Sequence, residues 1–475
     1  MKYHILIFTY LLSSCSANTP PSEPAPNSLP SQTTTQVGEA ASVNLSPSSA
    51  GFWRADFSWV SPTTRLDFVR SSKKRRPERL KLLDDDFEIV SANSLDSIRR
   101  KDGAAFNAVS VLEPTSIENP PAGYLPFAQF GDGGLLLYTG RFHTCAGICP
   151  LDNNNDEGPW RITISPGASE RMIINGAVAN GPTSFVDGGD GTKVYIGNSR
   201  IVQAPGMLAV IDAALPNSVS NGLDQLFPPL MAYFGERLGA LNQAQMLFAS
   251  YNVPGDLAGS SIKGGTLPQQ VFMHFEGAQI PDFSSENDFS YWLAWFFAHE
   301  SAHLHQRYRT APYEENDSWL HEGSAEAFAY LALRDLGFVT DTYLEQRLTG
   351  AKKACATALE GGSLHDVLNR DGPFQAFYDC GLILHLAVDA ASRDSSNSDL
   401  FVTWKAFIQR VAEGAPWNTA TYLDTIKEKA NEEIANVVEA VVTEHLDAPL
   451  SVLDRGLARS GFRHATPGPK ASQLQ

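Results

Sequence analysis

The sequence predicts an α+β multidomain protein, in which a β-sandwich-like N-terminal domain precedes a domain with a mostly helical C-terminal part. Three observations support this prediction. The length of 475 residues exceeds that of a usual single domain. Short apolar runs separated by turn residues dominate residues 51–222, whereas helical spacing of apolar residues dominates residues 223–465. The hydrophobic fraction of 43% is large enough to form substantial cores.

Residues 1–15 have the pattern of an export signal, because Lys2 precedes an apolar run over Ile5–Leu12 and small residues precede Cys15. The ending LSSC resembles the processing box of bacterial lipoproteins. This resemblance implies that residues 1–15 form a lipoprotein signal peptide and that Cys15 is lipidated. The alternative is an ordinary cleaved signal in which the cysteine is incidental.

Residues 16–50 contain no lysine or arginine and few aliphatic side chains, so we predict a disordered linker. Ser16, directly after Cys15, resembles the sorting pattern that favours an outer membrane or cell surface over an inner membrane. The sequence therefore predicts an exported protein that is anchored to a bacterial membrane through an N-terminal lipid.

The charge balance argues against nucleic acid as a partner. Asp and Glu total 53 and Lys and Arg total 36, which gives a formal net charge of −17. Because duplex binding depends largely on Lys and Arg that neutralise phosphates, we expect this chain to bind no nucleic acid.

Period-2 alternation between turn residues predicts strands in the N-terminal domain, at Gly134–Tyr138, Arg161–Ile164, Arg171–Ile174 and Lys193–Ile196. The same pattern predicts two later strands, at Gln245–Val253 and Gln269–Glu276. Apolar residues at helical spacing predict helices at Leu223–Gln243, Asn287–Tyr308, Ser318–Leu336, Asp341–Glu360 and Gln375–Ser392. Residues 400–462 are also predicted to be helical, and residues 466–475 form a polar tail.

Four cysteines follow Cys15, and an even number in an exported chain favours disulfides. We expect Cys145 to pair with Cys149 in a short loop and Cys355 to pair with Cys380 between two helices. The sequence alone leaves the connectivity open. A zinc site at Cys145 and Cys149 would need a second pair of ligands nearby, and the sequence has none there.

The predicted helix 287–308 contains His299, Glu300 and His303 in an HExxH pattern. Positions i and i+4 of a helix are about 40° apart, so both imidazoles project from one face and can bind one zinc ion. Glu300 lies beside that metal, where it can take a proton from a zinc-activated water.

A catalytic zinc needs a third protein ligand, and Glu322 in the segment WLHEG can supply it from a second helix. Glu326 lies one turn further on the same face. It is placed to accept the outer N–H of a ligating histidine. A solvated carboxylate is the alternative at both positions.

The spacing HExxH-x18-E and the WLHEG segment resemble the gluzincins, and within them the aminopeptidase-N-like zinc metallopeptidases. The resemblance covers about 264–386 and implies a thermolysin-like catalytic domain over 223–465 that holds one Zn²⁺. It implies His299, His303 and Glu322 as ligands and Glu300 as the general base. The family also has a Tyr-x-x-Gly whose hydroxyl stabilises the oxyanion, and Tyr378 begins the matching segment here.

One family feature is missing. Exopeptidases of the family carry GxMEN on a substrate-binding edge strand, and its Glu binds the free amino group of the substrate. The best counterpart here begins with Gly264 and Gly265 and has Leu267 where that Glu would stand. The resemblance therefore implies a substrate-binding strand at Gly264 and Gly265 without strict aminopeptidase specificity.

These observations lead to one functional hypothesis and one alternative. The hypothesis is a membrane-anchored zinc metallopeptidase that hydrolyses bonds in peptide or protein substrates. The alternative is a catalytically inactive surface lipoprotein that keeps the peptidase fold for a binding or structural role.

Overall fold

The computed structural model describes residues 39–49, 51–72, 75–92, 95–116, 126–147, 160–204, 206–253, 260–283, 287–306, 314–370, 372–396 and 398–459. They belong to two compact units. The first contains the chain up to Pro216 together with Gln243–Asp282. The second contains Asn217–Asn242 and the chain from Phe283 onwards.

The strands of the first unit are numbered in chain order, and those that precede residue 200 are β1 Glu39–Ala40, β2 Ser42–Pro47, β3 Phe52–Thr63, β4 Arg65–Phe68, β5 Lys81–Leu82, β6 Phe87–Ala92, β7 Leu95–Arg100, β8 Phe106–Pro114, β9 Phe127–Gln129, β10 Leu135–Tyr138, β11 Thr144–Ala146, β12 Trp160–Ile164, β13 Arg171–Ile174, β14 Ala177–Asn180, β15 Thr183–Asp187 and β16 Lys193–Gly197. The later strands are β17 Ile201–Ala204, β18 Met207–Ile211, β19 Gln245–Asn252, β20 Ser261–Leu267 and β21 Gln270–Glu276.

The N-terminal part of the first unit is built from three sheets, which confirms the predicted β-rich region. Their strand orders are β1-β11-β4-β7-β6, β14-β13-β16-β10-β9 and β15-β12-β2-β3-β8-β5. Strand β3 shows why they pack together: Trp53, Ala55, Phe57 and Trp59 alternate with more exposed residues and join one hydrophobic core.

The predicted linker over residues 16–50 is wrong at its C-terminal end, because β1 and β2 lie within it. Ala41, Val43 and Leu45 are each 1% exposed and alternate with polar residues that face outwards. Strand β2 pairs antiparallel with β3, and Val43 lies opposite Phe57. This short period-2 pattern buries enough apolar surface to join the sheet, although the segment as a whole is polar.

The last five strands form a separate mixed sheet, in the order β17-β18-β19-β21-β20. Strand β19 pairs parallel with β18, with Gln245 opposite Met207. Through this pairing, the three strands β19, β20 and β21 belong to the first unit. The sequence pattern had instead placed the start of the second domain at residue 223. Gly264 and Gly265 lie in β20, at an edge of this sheet.

The helices, also numbered in chain order, are α1 Arg76–Arg79, α2 Asn217–Leu238, α3 Ile280–Phe283, α4 Asn287–Gln306, α5 Ser318–Leu336, α6 Asp341–Ala358, α7 Gln375–Ser396, α8 Leu400–Ala412, α9 Thr419–Lys429, α10 Glu432–Thr443 and α11 Pro449–Arg459. Helix α5 has the predicted bounds. Helix α2 was predicted to run from residue 223 to 243, but it begins at Asn217 and ends at Leu238. Gly239, with a φ of 107°, then turns the chain out of the helix.

Helices α6 and α7 are joined by a disulfide between Cys355 and Cys380, as the sequence predicted. The closed loop spans 25 residues. Cys15 and Cys149 lie outside the described residues, and so does the predicted Cys145–Cys149 bridge. Among the described residues, the structure contains no helix with the length and apolarity needed to cross a bilayer.

A buried lysine and histidine lie in the first unit, where β16 approaches the mixed sheet. Lys193 Nζ is 3.4 Å from His274 Nε2 and 3.9 Å from the centroid of the Phe272 ring. Burial and then the charge of Arg141 lower the pKa of Lys193 to about 7. Burial and then the charges of neighbouring lysines hold the pKa of His274 well below its ordinary value. The folded state therefore favours the neutral forms of both groups.

Replacing this lysine by methionine should stabilise the protein in a pH-dependent way. In the unfolded chain the pKa of Lys193 returns to its ordinary value of 10.5, so between pH 7 and 10.5 the unfolded state binds more protons than the folded state. We expect Lys193→Met to raise the free energy of unfolding by about 4 kcal/mol at pH 7 and by only about 1 kcal/mol at pH 9.5.

Urea unfolding at the two pH values measures this effect, with the exposed Lys101→Met as a control that should show no such pH dependence. A Lys193→Met variant that is less stable than the wild type at pH 7, or whose gain is equal at both pH values, contradicts the prediction.

Candidate metal centre

Two histidines on one face of α4 present their Nε2 atoms to each other. The Nε2 atoms of His299 and His303 are 2.9 Å apart, and the two rings stand edge to face with centroids 4.6 Å apart. Both residues are only 4% exposed. This is the arrangement expected of the i and i+4 positions of a helix when both side chains point at one target.

Glu322 on α5 completes the set from the opposite side. Its Oε2 atom lies 3.4 Å from Nε2 of His299 and 3.2 Å from Nε2 of His303. This buried oxygen has no hydrogen-bond partner among the described residues. One ligand atom from each of the three residues lies within 4.8 Å of the others. Two imidazole nitrogens and one carboxylate oxygen are a donor set that fits a catalytic zinc ion.

A side-chain oxygen lies close to the outer nitrogen of each imidazole. Glu326 Oε1 is 3.0 Å from Nδ1 of His299, where the helical spacing predicted it. Gln306 Oε1 is 2.6 Å from Nδ1 of His303, and its Nε2 donates to Ser324 Oγ, which fixes the orientation of the amide. With a proton on each Nδ1 atom, both Nε2 lone pairs would be available to a metal ion.

The electrostatics of the site favour a cation. Burial alone would lower the pKa of His299, but its contacts with the carboxylates of Glu322 and Glu326 outweigh burial and raise the pKa to about 10. Burial would raise the pKa of Glu322, but the charges of His321 and His303 hold it well below its ordinary range. The negative charge that draws protons to the imidazoles would equally stabilise a divalent ion between them.

Glu300 follows His299 in α4 and is 1% exposed. Its charge is one of the causes that raise the pKa of His299 and the pKa of Tyr378. A carboxylate within electrostatic reach of both side chains is in position to exchange protons with a group bound beside them.

Tyr378, in the first half of α7, stacks on the ring of His299 with centroids 5.5 Å apart and planes at 25°. Burial raises its pKa well above the ordinary value, and the charges of Glu322, Glu300 and Glu326 raise it further. The phenol therefore keeps its proton and can act as a hydrogen-bond donor in this site.

A close approach between α5 and α7 brings Glu322 and Tyr378 together. A Cβ atom added to Gly323 would lie 2.3 Å from the Cα atom of Gly381, and the reverse also holds. The side-chain-free faces of both helices therefore meet at these two glycines. One glycine follows Glu322, and the other lies three positions after Tyr378, which explains their places in the WLHEG and YDCG segments.

Sequence reasoning missed two contacts close to the ligands. Gln306 lies three residues after His303 in the same helix, and this spacing could have indicated a partner for that imidazole. The second is His321, which precedes Glu322 in the chain and whose Nε2 atom lies 3.0 Å from Oε1 of that carboxylate. It holds the oxygen of Glu322 that does not face the other two ligands.

Arg347 on α6 was also missed. Its guanidinium donates to Glu326 Oε2 at 2.6 Å and to Asp379 Oδ1 at 3.0 Å. Nothing in the local sequence predicts this contact, because it depends on how α6 packs against α5 and α7.

Two other histidines of the helical unit have partners outside the candidate ligand set. His305 contacts the backbone oxygen of Ser301, and His385 Nδ1 lies 2.8 Å from the hydroxyl of Tyr422, so both have partners inside the helical unit. Burial lowers the pKa of His385 to about 3, as expected of a core histidine. Residues 264–265 belong to the other compact unit.

Comparisons with known proteins support the fold. No protein-family model and no curated protein sequence matches this chain. Its structure is similar to that of an aminopeptidase N family protein from Idiomarina loihiensis, with 11% identity, a TM-score of 0.60 and coverage of 87% of this chain and 78% of that one. It is also similar to native yeast LTA4 hydrolase, with 11% identity, a TM-score of 0.50 and coverage of 87% and 68%. The chain therefore has an aminopeptidase-N-like fold.

The wild-type chain should bind one zinc ion, and loss of either a ligand or an outer partner should weaken that binding. We expect His303→Ala and Glu322→Ala to lose the ion, whereas Gln306→Leu should lower the affinity by about 10- to 100-fold. Metal analysis after dialysis and competition with a fluorescent chelator measure the two effects. Equal zinc content in the wild type and Glu322→Ala would contradict this assignment, and His305→Gln serves as a control.

The contact between the two glycines can be tested through stability. A methyl group at Gly381 would meet backbone atoms, so we expect Gly381→Ala to lower the free energy of unfolding by about 3 kcal/mol. Gly350→Ala is the matched control, because that helical glycine has open space around it and alanine should add up to about 1 kcal/mol of stability. Urea unfolding that ranks the two variants in the opposite order would refute the close approach.

Proposed function

We propose that this protein is a membrane-anchored zinc metallopeptidase that hydrolyses peptide bonds with Glu300 as the general base. The observation that carries the proposal is the buried set of His299, His303 and Glu322 with Glu300 beside it in α4. The similarity to an aminopeptidase N family protein supports the fold in which such a set occurs.

Each residue of the site has a role that its geometry supports. When bound by the three ligands, zinc would supply a Lewis acid that polarises the scissile carbonyl and makes water more acidic. Glu300 would accept a proton from the attacking water and deliver it to the leaving amine. Tyr378, protonated at neutral pH, would donate a hydrogen bond to the oxygen on which negative charge develops.

The proposed specificity is not that of a strict aminopeptidase. The family resemblance places the amine-binding carboxylate on the strand that corresponds to β20, where this chain has Leu267. Glu276 is the nearest acidic residue on β21, but its carboxylate is 2.8 Å from Lys263 Nζ and is already neutralised. Without a free carboxylate on this strand, a substrate needs no free amino terminus, and internal peptide bonds can be cut.

The location of the protein is proposed from the N-terminal sequence. Lipidation at Cys15 would anchor the chain in a bacterial membrane, and Ser16 favours the outer membrane or cell surface. Such an enzyme would act on extracytoplasmic peptides or proteins, and its acidic charge supports the expectation that nucleic acid is not a partner.

The decisive test of activity is a peptide-library digest read by mass spectrometry, with half of the peptides acetylated at the amino terminus. We expect the wild type to cut both halves at internal bonds and a chelator to abolish cutting. Glu300→Gln should lower kcat/KM by about 10²- to 10⁴-fold and leave the zinc content unchanged, because Glu300 is not a ligand.

Glu345→Gln, an exposed change on α6, is the matched control and should keep full activity. A zinc-loaded wild type that cuts no peptide would contradict the proposal and favour a binding or structural lipoprotein. Cutting confined to free amino termini would overturn the proposed specificity and leave the peptidase assignment intact.

A further inference from the structure

Four helices of the second unit contribute one residue each to a continuous series of polar contacts. Asp379 on α7 accepts from Arg347 on α6, which donates to Glu326 on α5, and Glu326 contacts Nδ1 of His299 on α4. The successive N···O distances are 3.0, 2.6 and 3.0 Å. The series ends at a residue that also belongs to the candidate metal site.

We infer that Arg347 is a positioning residue for the metal ligand His299 and that it acts through Glu326. The inference rests on the zinc-binding role in the proposed function. Arg347 contacts neither His299 nor Glu322 in the structure, so its influence on the metal passes through the carboxylate that it holds.

The first step in this argument is the state of Glu326. The side chain is 6% exposed, and a buried carboxylate is expensive unless it is paired and hydrogen-bonded. Its Oε2 atom accepts from Arg347 and also from Trp295 Nε1 at 2.9 Å. Two donors therefore hold one oxygen and leave Oε1 aimed at His299.

The second step concerns how Arg347 itself is held. Its guanidinium carbon lies 5.1 Å from the centroid of the Trp295 ring, and its other terminal nitrogen is bound by Asp379. A planar guanidinium can bridge two carboxylates in a fixed direction, whereas an ammonium group acts as a single point charge. Arginine can therefore hold both carboxylates at once, whereas lysine at this position should retain only part of that effect.

The third step separates this series from the partner of the other histidine. Gln306 contacts His303 Nδ1, and its amide nitrogen donates to His321 O and Ser324 Oγ; none of these contacts involves Glu326 or Arg347. Contacts in one series should show coupled effects when they are removed together, whereas independent contacts should show additive ones. Double variants can therefore identify the route by which Arg347 acts.

Zinc affinity, measured by competition with a fluorescent chelator on the full chain, tests the inference without depending on peptide hydrolysis. We expect Arg347→Met to lower the affinity by about 10- to 100-fold and Arg347→Lys to lower it by less. Asp379→Asn should have a smaller effect than Arg347→Met, because it removes only the far support. The absorption spectrum of the cobalt-substituted protein should change in Arg347→Met, since the ligand His299 is no longer held in one orientation.

Double variants give the sharper result. Arg347→Met combined with Glu326→Gln should bind zinc no more weakly than Glu326→Gln alone, whereas its combination with Gln306→Leu should multiply the two losses. Arg410→Met is the matched control. Arg410 also joins two helices, α8 and α9, through an ion pair with Glu428 at an N···O distance of 2.6 Å, but it is not part of the series that ends at His299. It should leave zinc affinity and the cobalt spectrum unchanged.

The inference is overturned if Arg347→Met binds zinc as tightly as the wild type, or if its effect multiplies with that of Glu326→Gln. Urea titration shows whether Arg347→Met is still folded. If it is unfolded, the zinc affinities of Arg347→Lys and Asp379→Asn test the inference in its place. If zinc binding follows the expected pattern but no variant cuts peptides, the peptidase function fails and the positioning role stands. If the wild type binds no zinc, both fail.

Discussion

The arrangement of the helical unit around the candidate metal site depends on two buried carboxylates and the groups that neutralise them. Glu322 and Glu326 are each about nine-tenths or more buried, and their carboxylates face two imidazoles of α4. Buried carboxylates are costly to desolvate, and they are retained when cations and hydrogen-bond donors surround them. Arg347 supplies one cation next to Glu326. Glu322 Oε2 lies instead towards the two Nε2 atoms, where a divalent ion would satisfy all three groups at once.

A few close contacts fix the relative positions of the helices that carry these residues. The approach of Gly323 to Gly381 lets α5 and α7 meet at backbone distance, so Tyr378 lies over His299 next to Glu322. The Cys355–Cys380 disulfide joins α6 to α7 beside this point. Small residues, a covalent link and an ion pair thus act on neighbouring turns of the same helices. The residues of the candidate site are therefore positioned by packing between helices and not by loops.

The sequence allowed the two histidines of the candidate site to be predicted because their geometry is local. The i, i+4 spacing of His299 and His303 places both on one face of a helix in any fold, and the same rule related Glu326 to Glu322. The period of the apolar pattern likewise predicted α5 and two strands of the mixed sheet, β19 and β21. Arg347 was beyond this reasoning, because its partners lie on other helices and only tertiary packing brings them together. Residues 39–47 were misjudged for a related reason, since their few apolar side chains matter only once β3 is beside them.

A fold similarity at 11% identity does not establish the chemistry, which has to be inferred from the residues of the site. The bound metal is the central claim. X-ray absorption at the zinc edge on the full-length protein tests that claim most directly. We expect one ion with two imidazole nitrogens and a carboxylate oxygen at about 2.0–2.2 Å, and loss of the oxygen contribution in Glu322→Ala. A spectrum dominated by sulfur ligands, or one unchanged in Glu322→Ala, would place the metal elsewhere and contradict the account.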